Sequence, residues 1–118
     1  MSEPDKRIIC VEGDGSFMMK MQELQTIVYN NLDIKIFLIN NNGYHSIRQT
    51  QTNLFKGQPY VGIGAGYGLS TPDFSRVIPA FDIPYYRIDR LDGINETIDE
   101  VIINKEYLDI KIIVYNSL

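Results

Sequence analysis

One cysteine, Cys10, is all the thiol this 118-residue chain possesses. A lone thiol excludes an internal disulfide framework and the thiolate-rich zinc sites that need several such ligands. Positive charge is also scarce. Eleven Lys and Arg stand against fifteen Asp and Glu, for a formal net charge of −4. The basic residues fall singly or in pairs, so the electrostatic footprint of a nucleic-acid binder is missing and no nucleic-acid partner is expected. No apolar stretch approaches the ~20 residues of a membrane span. The opening "MSEPDKR" lacks the apolar core of a secretory signal, so no membrane association is expected. Cys10 lies in an apolar run and reads as a buried, inert side chain. With no disulfide to form, the chain suits a reducing, cytoplasmic setting.

What is present is ordinary globular material: 44% apolar and 22% charged residues, enough for one modest domain and too little for two. A domain of this size buries roughly two thirds of the surface its unfolded chain exposes. "IICV" at 8–11 and "IKIFLI" at 34–39 are continuously apolar or nearly so, the mark of strands covered on both faces of a parallel sheet. Between them Phe17, Met18, Met21, Leu24, Ile27 and Val28 recur at spacings of three and four, which predicts an amphipathic helix over 17–29. Residues 45–70 read as a short helical stretch followed by a long loop with Gly62, Gly64, Gly66 and Gly68 at alternate positions. "STPDFSRVIPAF" predicts a helix capped by Ser70 or Thr71, with Pro72 at its first position and Asp73 in its first turn. Pro79 should end it early. A strand at 84–88, a helix capped near Asn95 and a strand at 109–115 complete the chain. Strands alternating with helices predict an α/β fold, a doubly wound and mostly parallel sheet in a three-layer α/β/α arrangement.

In such sheets ligands bind where the carboxyl ends of strands meet helix N-termini. "GDGS" at 13–16 stands at that end of the first strand and "NNNGY" at 40–44 at that end of the second. Asp14 and Asn41 could therefore converge although 27 positions separate them. A carboxylate, an amide oxygen and a backbone carbonyl are hard donors that suit Mg2+ or Ca2+, and Mg2+ favours few protein oxygens supplemented by phosphate. Gly13 and Gly15 carry no Cβ to obstruct a ligand's approach. Blander readings stand beside this one. Asp14 or Ser16 could simply cap a helix, and "NNNG" is a common turn. An EF-hand alignment fails, since it places Cys10 and Met21 at ligand positions. The glycine run is no dinucleotide fingerprint either, because its third glycine falls on Tyr67 or Leu69. A phosphoacceptor Asp14 would want further carboxylates beside it, and Glu12 is the only nearby candidate. A non-catalytic phosphate- or nucleotide-binding α/β module is the alternative of another class.

"GDGS" followed by "NNNGY", with 26 residues between Gly13 and Asn40, resembles the thiamine-diphosphate motif, which begins GDG and ends NN. "GDGSFMMKMQELQT" and "FLINNNGYHSIRQTQ" are similar to the acetolactate synthase branch of the 2-keto acid decarboxylase group, and the likeness extends more loosely through "TPDF" and "IPYYRI". The resemblance implies the diphosphate-binding domain of a thiamine-diphosphate enzyme. It implies thiamine diphosphate and Mg2+ as cofactors, with the metal held by Asp14, Asn41 and the main-chain carbonyl of Gly43. Gly13 would shape the turn, Gly15 and Ser16 would meet the diphosphate, and Tyr44 and His45 would lie near the active-site mouth. It implies a carbon-carbon lyase or transferase acting on a small 2-keto acid.

The family's pyrimidine-binding domain, from the same or a partner subunit, carries the glutamate that activates the cofactor. No stretch here matches that domain, nor the earlier strand and helix of the diphosphate domain. The resemblance therefore implies an N-terminally truncated, single partial domain over 1–118, with no catalytic residue of its own and no activity in isolation. Apolar surface that would face those elements should then favour a homo-oligomer, dimer or tetramer.

Overall fold

The computed structural model describes residues 8–56, 59–90, 92, 94–103 and 111–116. Four parallel strands form one sheet in the order β1-β2-β4-β3. They are β1 (Ile8–Gly13), β2 (Ile34–Asn40), β3 (Tyr85–Ile88) and β4 (Lys111–Asn116). Among the described residues five helices accompany them: α1 (Asp14–Met19), α2 (Glu23–Tyr29), α3 (His45–Phe55), α4 (Phe74–Val77) and α5 (Ile94–Ile103). A 3-10 turn, Ile78–Phe81, follows α4. The expected parallel α/β sheet with helices on both faces is the architecture observed.

Successive strand residues point to opposite faces, and the two faces bury different sets. Ile36, Leu38, Ile112 and Val114 pack on one side against Phe17 of α1, Leu24 of α2, Phe74 of α4 and Ile78 of the 3-10 turn. Phe17 and Phe74 meet edge to face, with ring centroids 5.7 Å apart. On the other side Ile88 and Ile113 pack against Val101 of α5. Lys35 of β2 is buried too, and its Nζ lies 2.5 Å from Asp33 Oδ1. A buried ammonium needs such a partner, since an unpaired charge is far too costly away from water.

Several expectations are corrected. β1 is not covered on both faces: among the described residues it is an edge strand, and Ile9 and Val11 remain 51% and 69% exposed. α5 shields the β4 and β3 half of its face, while Ile9, Val11 and Ile39 on the other half stay open. The helix expected over 17–29 starts earlier, at Asp14, and breaks into α1 and α2. Glu23, Leu24 and Gln25 donate to carbonyls three residues back rather than four, a 3-10 turn that separates the two pieces. The apolar positions named for it nevertheless face the core. The cap of α4 is Asp73, not Ser70 or Thr71: its Oδ1 accepts from the Ser75 N–H at 3.0 Å. Asn95 is inside α5, whose first residue is Ile94. Residues 109 and 110, expected in the last strand, lie outside the described residues. No helix among the described residues is long and apolar enough to cross a membrane.

Candidate functional site

The site is built from two turns that leave neighbouring strands. β1 ends at Gly13 and passes directly into α1, so Asp14 is the first helical residue at the sheet's carboxyl edge. β2 ends at Asn40, paired in parallel register beside β1. The chain then turns through Asn42 (φ +59) and Gly43 (φ +153) before α3 begins at His45. Asn42 in the left-handed region is tolerable because a short amide side chain bonds locally there.

Asp14 joins the two turns. The residue is 2% exposed. Oδ1 accepts from the Gly15 N–H at 2.8 Å, and Oδ2 accepts from the Gly43 N–H at 3.0 Å across 29 positions of sequence. The helix-cap reading of Asp14 is therefore corrected: Gly13 is the capping position of α1, and no side chain caps it. Two residues before Gly43 in the same turn, the Oδ1 of Asn41 is buried and accepts no hydrogen bond. An unpartnered buried amide oxygen is costly, and native structures keep few of them.

The second turn is braced from outside. The Tyr44 N–H donates to the Ile63 carbonyl at 2.9 Å, and Gly43 and Gly64 form an antiparallel bridge. A Cβ on Gly43 would stand 2.1 Å from the Ile63 carbonyl oxygen, so only glycine lets the two backbones approach this closely. Gly15 serves a similar purpose for a side chain. A Cβ there would stand 2.0 Å from Tyr44 Cε1, so the tyrosine ring rests on the bare glycine.

Asp14 and Gly43 are thus brought together, with Tyr44 against Gly15; the spacing pairs Asp14 with Asn41, whose Oδ1 meets no hydrogen-bond partner. Gly13 has open space where a Cβ would project. The Gly15 N–H is engaged by Asp14 itself, Ser16 is exposed, and His45 is an exposed residue at the start of α3. Sequence reasoning missed the bracing strip at 61–64, whose role depends on contacts across twenty residues. The alternating glycines were the only trace of it.

The family described as "Thiamine pyrophosphate enzyme, C-terminal TPP binding domain" matches residues 1–116. The chain belongs to this family. A "Probable acetolactate synthase large subunit" from Methanococcus aeolicus is 35% identical over 102 residues, covering 86% of this chain and 16% of that protein. "Acetolactate synthase isozyme 1 large subunit" from Escherichia coli (strain K12) is 36% identical over 85 residues, 64% of this chain and 15% of its own length. Among solved structures, the Rhodococcus jostii RHA1 thiamine diphosphate-dependent 4-hydroxybenzoylformate decarboxylase shares the fold at a TM-score of 0.79 and 16% identity. It matches 98% of this chain, which covers 20% of that one. The chain therefore spans about one sixth of the length of these curated relatives.

In this TPP-binding domain, no group of three or more His, Cys, Asp or Glu among the described residues could hold a metal. A cation at Asp14 would have to complete its shell with amide, carbonyl, water or phosphate oxygens. Mg2+ accepts that donor set, because it keeps several waters and takes few protein carboxylates. The residues present fit it.

Proposed function

We propose that this chain is the Mg2+- and diphosphate-holding part of a 2-keto acid synthase or decarboxylase resembling the acetolactate synthase large subunit, a transferase or lyase. Asp14 gives a carboxylate oxygen to Mg2+, Asn41 its amide oxygen and Gly43 its carbonyl, while Gly13, Gly15, Ser16 and Tyr44 border the diphosphate. The observation that carries this reading is the buried, unpartnered Oδ1 of Asn41 in the turn tied to Asp14. A divalent cation would give that oxygen the partner it lacks. When bound, thiamine diphosphate supplies the nucleophilic carbon and electron sink that cleavage of a 2-keto acid requires. The chain's own residues anchor and orient the charged end of the cofactor.

The activating glutamate belongs to a pyrimidine-binding domain of the same or a partner subunit, so the 118 residues alone do not turn over pyruvate. The open apolar half-face of Ile9, Val11 and Ile39 supports docking in a larger, homo-oligomeric assembly, in the reducing cytoplasm that a single thiol suits.

Calorimetric titration with thiamine diphosphate and Mg2+ tests the reading. Binding should require both, and Asp14→Ala and Asn41→Ala should each weaken it by about tenfold or more, the order expected for removing a charged or buried ligand. Equal affinity in the wild type and both variants would overturn it.

A further inference from the structure

We propose that Gln51 is a positioning residue for the cation turn, clamping the bracing strip that holds Asn41 to Gly43 against Asp14. The inference rests on the cofactor-site reading and extends it to a residue beyond the two motif turns. Gln51 lies in the second turn of α3. Its Nε2 donates to the Val61 carbonyl at 2.8 Å, and its Oε1 accepts from the Val61 N–H at 3.0 Å. One side-chain amide thus satisfies both polar groups of one backbone residue, as a neighbouring strand would.

Two residues beyond Val61, the Ile63 carbonyl accepts from the Tyr44 N–H and Gly64 bridges Gly43. Gly43 in turn donates to Asp14. The path from Gln51 to the carboxylate therefore runs through the backbone of the strip and of the turn, and α3, which begins directly after Tyr44, closes the loop. Packing offers α3 little anchorage, for it contains no buried residue. Its tethers to the strip are polar: the Gln51 pair, the Thr52–Tyr60 hydroxyl contact at 2.9 Å and Arg48 lying 5.2 Å over the Tyr60 ring. Of these only the Gln51 pair grips backbone, and backbone position decides where the Gly43 N–H and carbonyl point.

Amide hydrogen exchange on the full 118-residue chain, with no ligand added, reads the clamp directly. In Gln51→Ala the Tyr44 amide should exchange about tenfold faster, the order of one lost hydrogen bond, while Leu38 in the middle of β2 keeps its protection. Gln51→Glu retains the acceptor for the Val61 N–H and loses the donor, so its effect should be intermediate. Unchanged Tyr44 exchange in Gln51→Ala would overturn the clamp. So would equal acceleration at Tyr44 and Leu38, which is general destabilisation.

Calorimetry then separates this inference from the reading beneath it. Gln51→Ala should raise the Mg2+ concentration needed for half-maximal binding of thiamine diphosphate about tenfold, the factor set by that same hydrogen bond. If the wild type binds and Gln51→Ala binds equally well, the positioning role fails and the cofactor reading stands. If the wild type does not bind while Tyr44 exchange still depends on Gln51, the cofactor reading fails and only the clamp survives.

Discussion

Substituting Gly15 by alanine should change the sign of its effect according to what occupies position 44. A Cβ built on Gly15 lies 2.0 Å from Tyr44 Cε1, 2.6 Å from Cδ1 and 3.1 Å from Cζ. Carbon atoms rest about 3.5–4.0 Å apart, so the ring would have to retreat by roughly 1.5 Å or more. Overpacking of this kind costs about 1–3 kcal/mol. Gly15 is the second residue of α1, and there alanine gains about 0.5–1 kcal/mol over glycine from helix propensity. In the wild-type background the steric cost wins, leaving a net loss of about 0.5–2 kcal/mol. Once Tyr44→Ala has removed the ring, only the helical gain remains, and Gly15→Ala should stabilise by about 0.5–1 kcal/mol. Urea unfolding of the four proteins in the cycle measures this coupling. With a slope of about 1–3 kcal/mol/M, each kilocalorie moves the midpoint by roughly 0.3–1 M. Equal destabilisation by Gly15→Ala in both backgrounds would refute the contact between ring and glycine.

Gly43→Ala should be worse than Gly15→Ala, because the atom it meets at 2.1 Å is the Ile63 backbone oxygen rather than a movable ring. A loss of roughly 3 kcal/mol in urea unfolding is expected, with Tyr44 amide protection lost alongside. Leu38→Ala removes a fully buried side chain from the sheet centre and should cost about 2–5 kcal/mol at an unchanged slope. Asp73 should titrate below the ordinary carboxylate range, because the Ser75 hydroxyl at 2.6 Å favours its charged form, helped by the Ser75 N–H. A lowered pKa means that its capping contribution is present above the ordinary carboxylate pKa and is lost as pH falls through the lowered value. Carbon-detected NMR titration of Asp73 checks the midpoint, and Asp73→Asn should remove that part of the acid dependence of α4.

The alternation of strands and helices was legible because period and length are local properties. "IICV", "IKIFLI" and "IIVY" all became strands, and the three-and-four spacing from Phe17 to Val28 faced the core. The pairing of Asp14 with the 41–43 turn was legible for a different reason: a short βαβ crossover leaves little choice about where its two ends emerge. Long-range placement was not. Nothing in "YYRI" announces that β4 inserts between β2 and β3, and an apolar edge strand reads like an interior one. The length of α3 escaped because its exposed polar surface carries no apolar period to detect. The cap of α4 slipped to Asp73 because Ser70, Thr71 and Asp73 are all acceptable capping residues, and local geometry chose among them. The clamp at Gln51 is tertiary, and a glutamine amide that grips a backbone ten residues away has no signature in composition or spacing.

The outer rim of β1 has a consequence for handling. Among the described residues its outward backbone groups meet no further strand, and Ile8, Ile9 and Val11 flank them with greasy surface. Such a border invites a stranger's strand to add on, so the purified chain should have a concentration ceiling set by stacking at this rim rather than by unfolding. A lysine in place of Val11 would raise that ceiling and leave the carboxyl end of the sheet undisturbed.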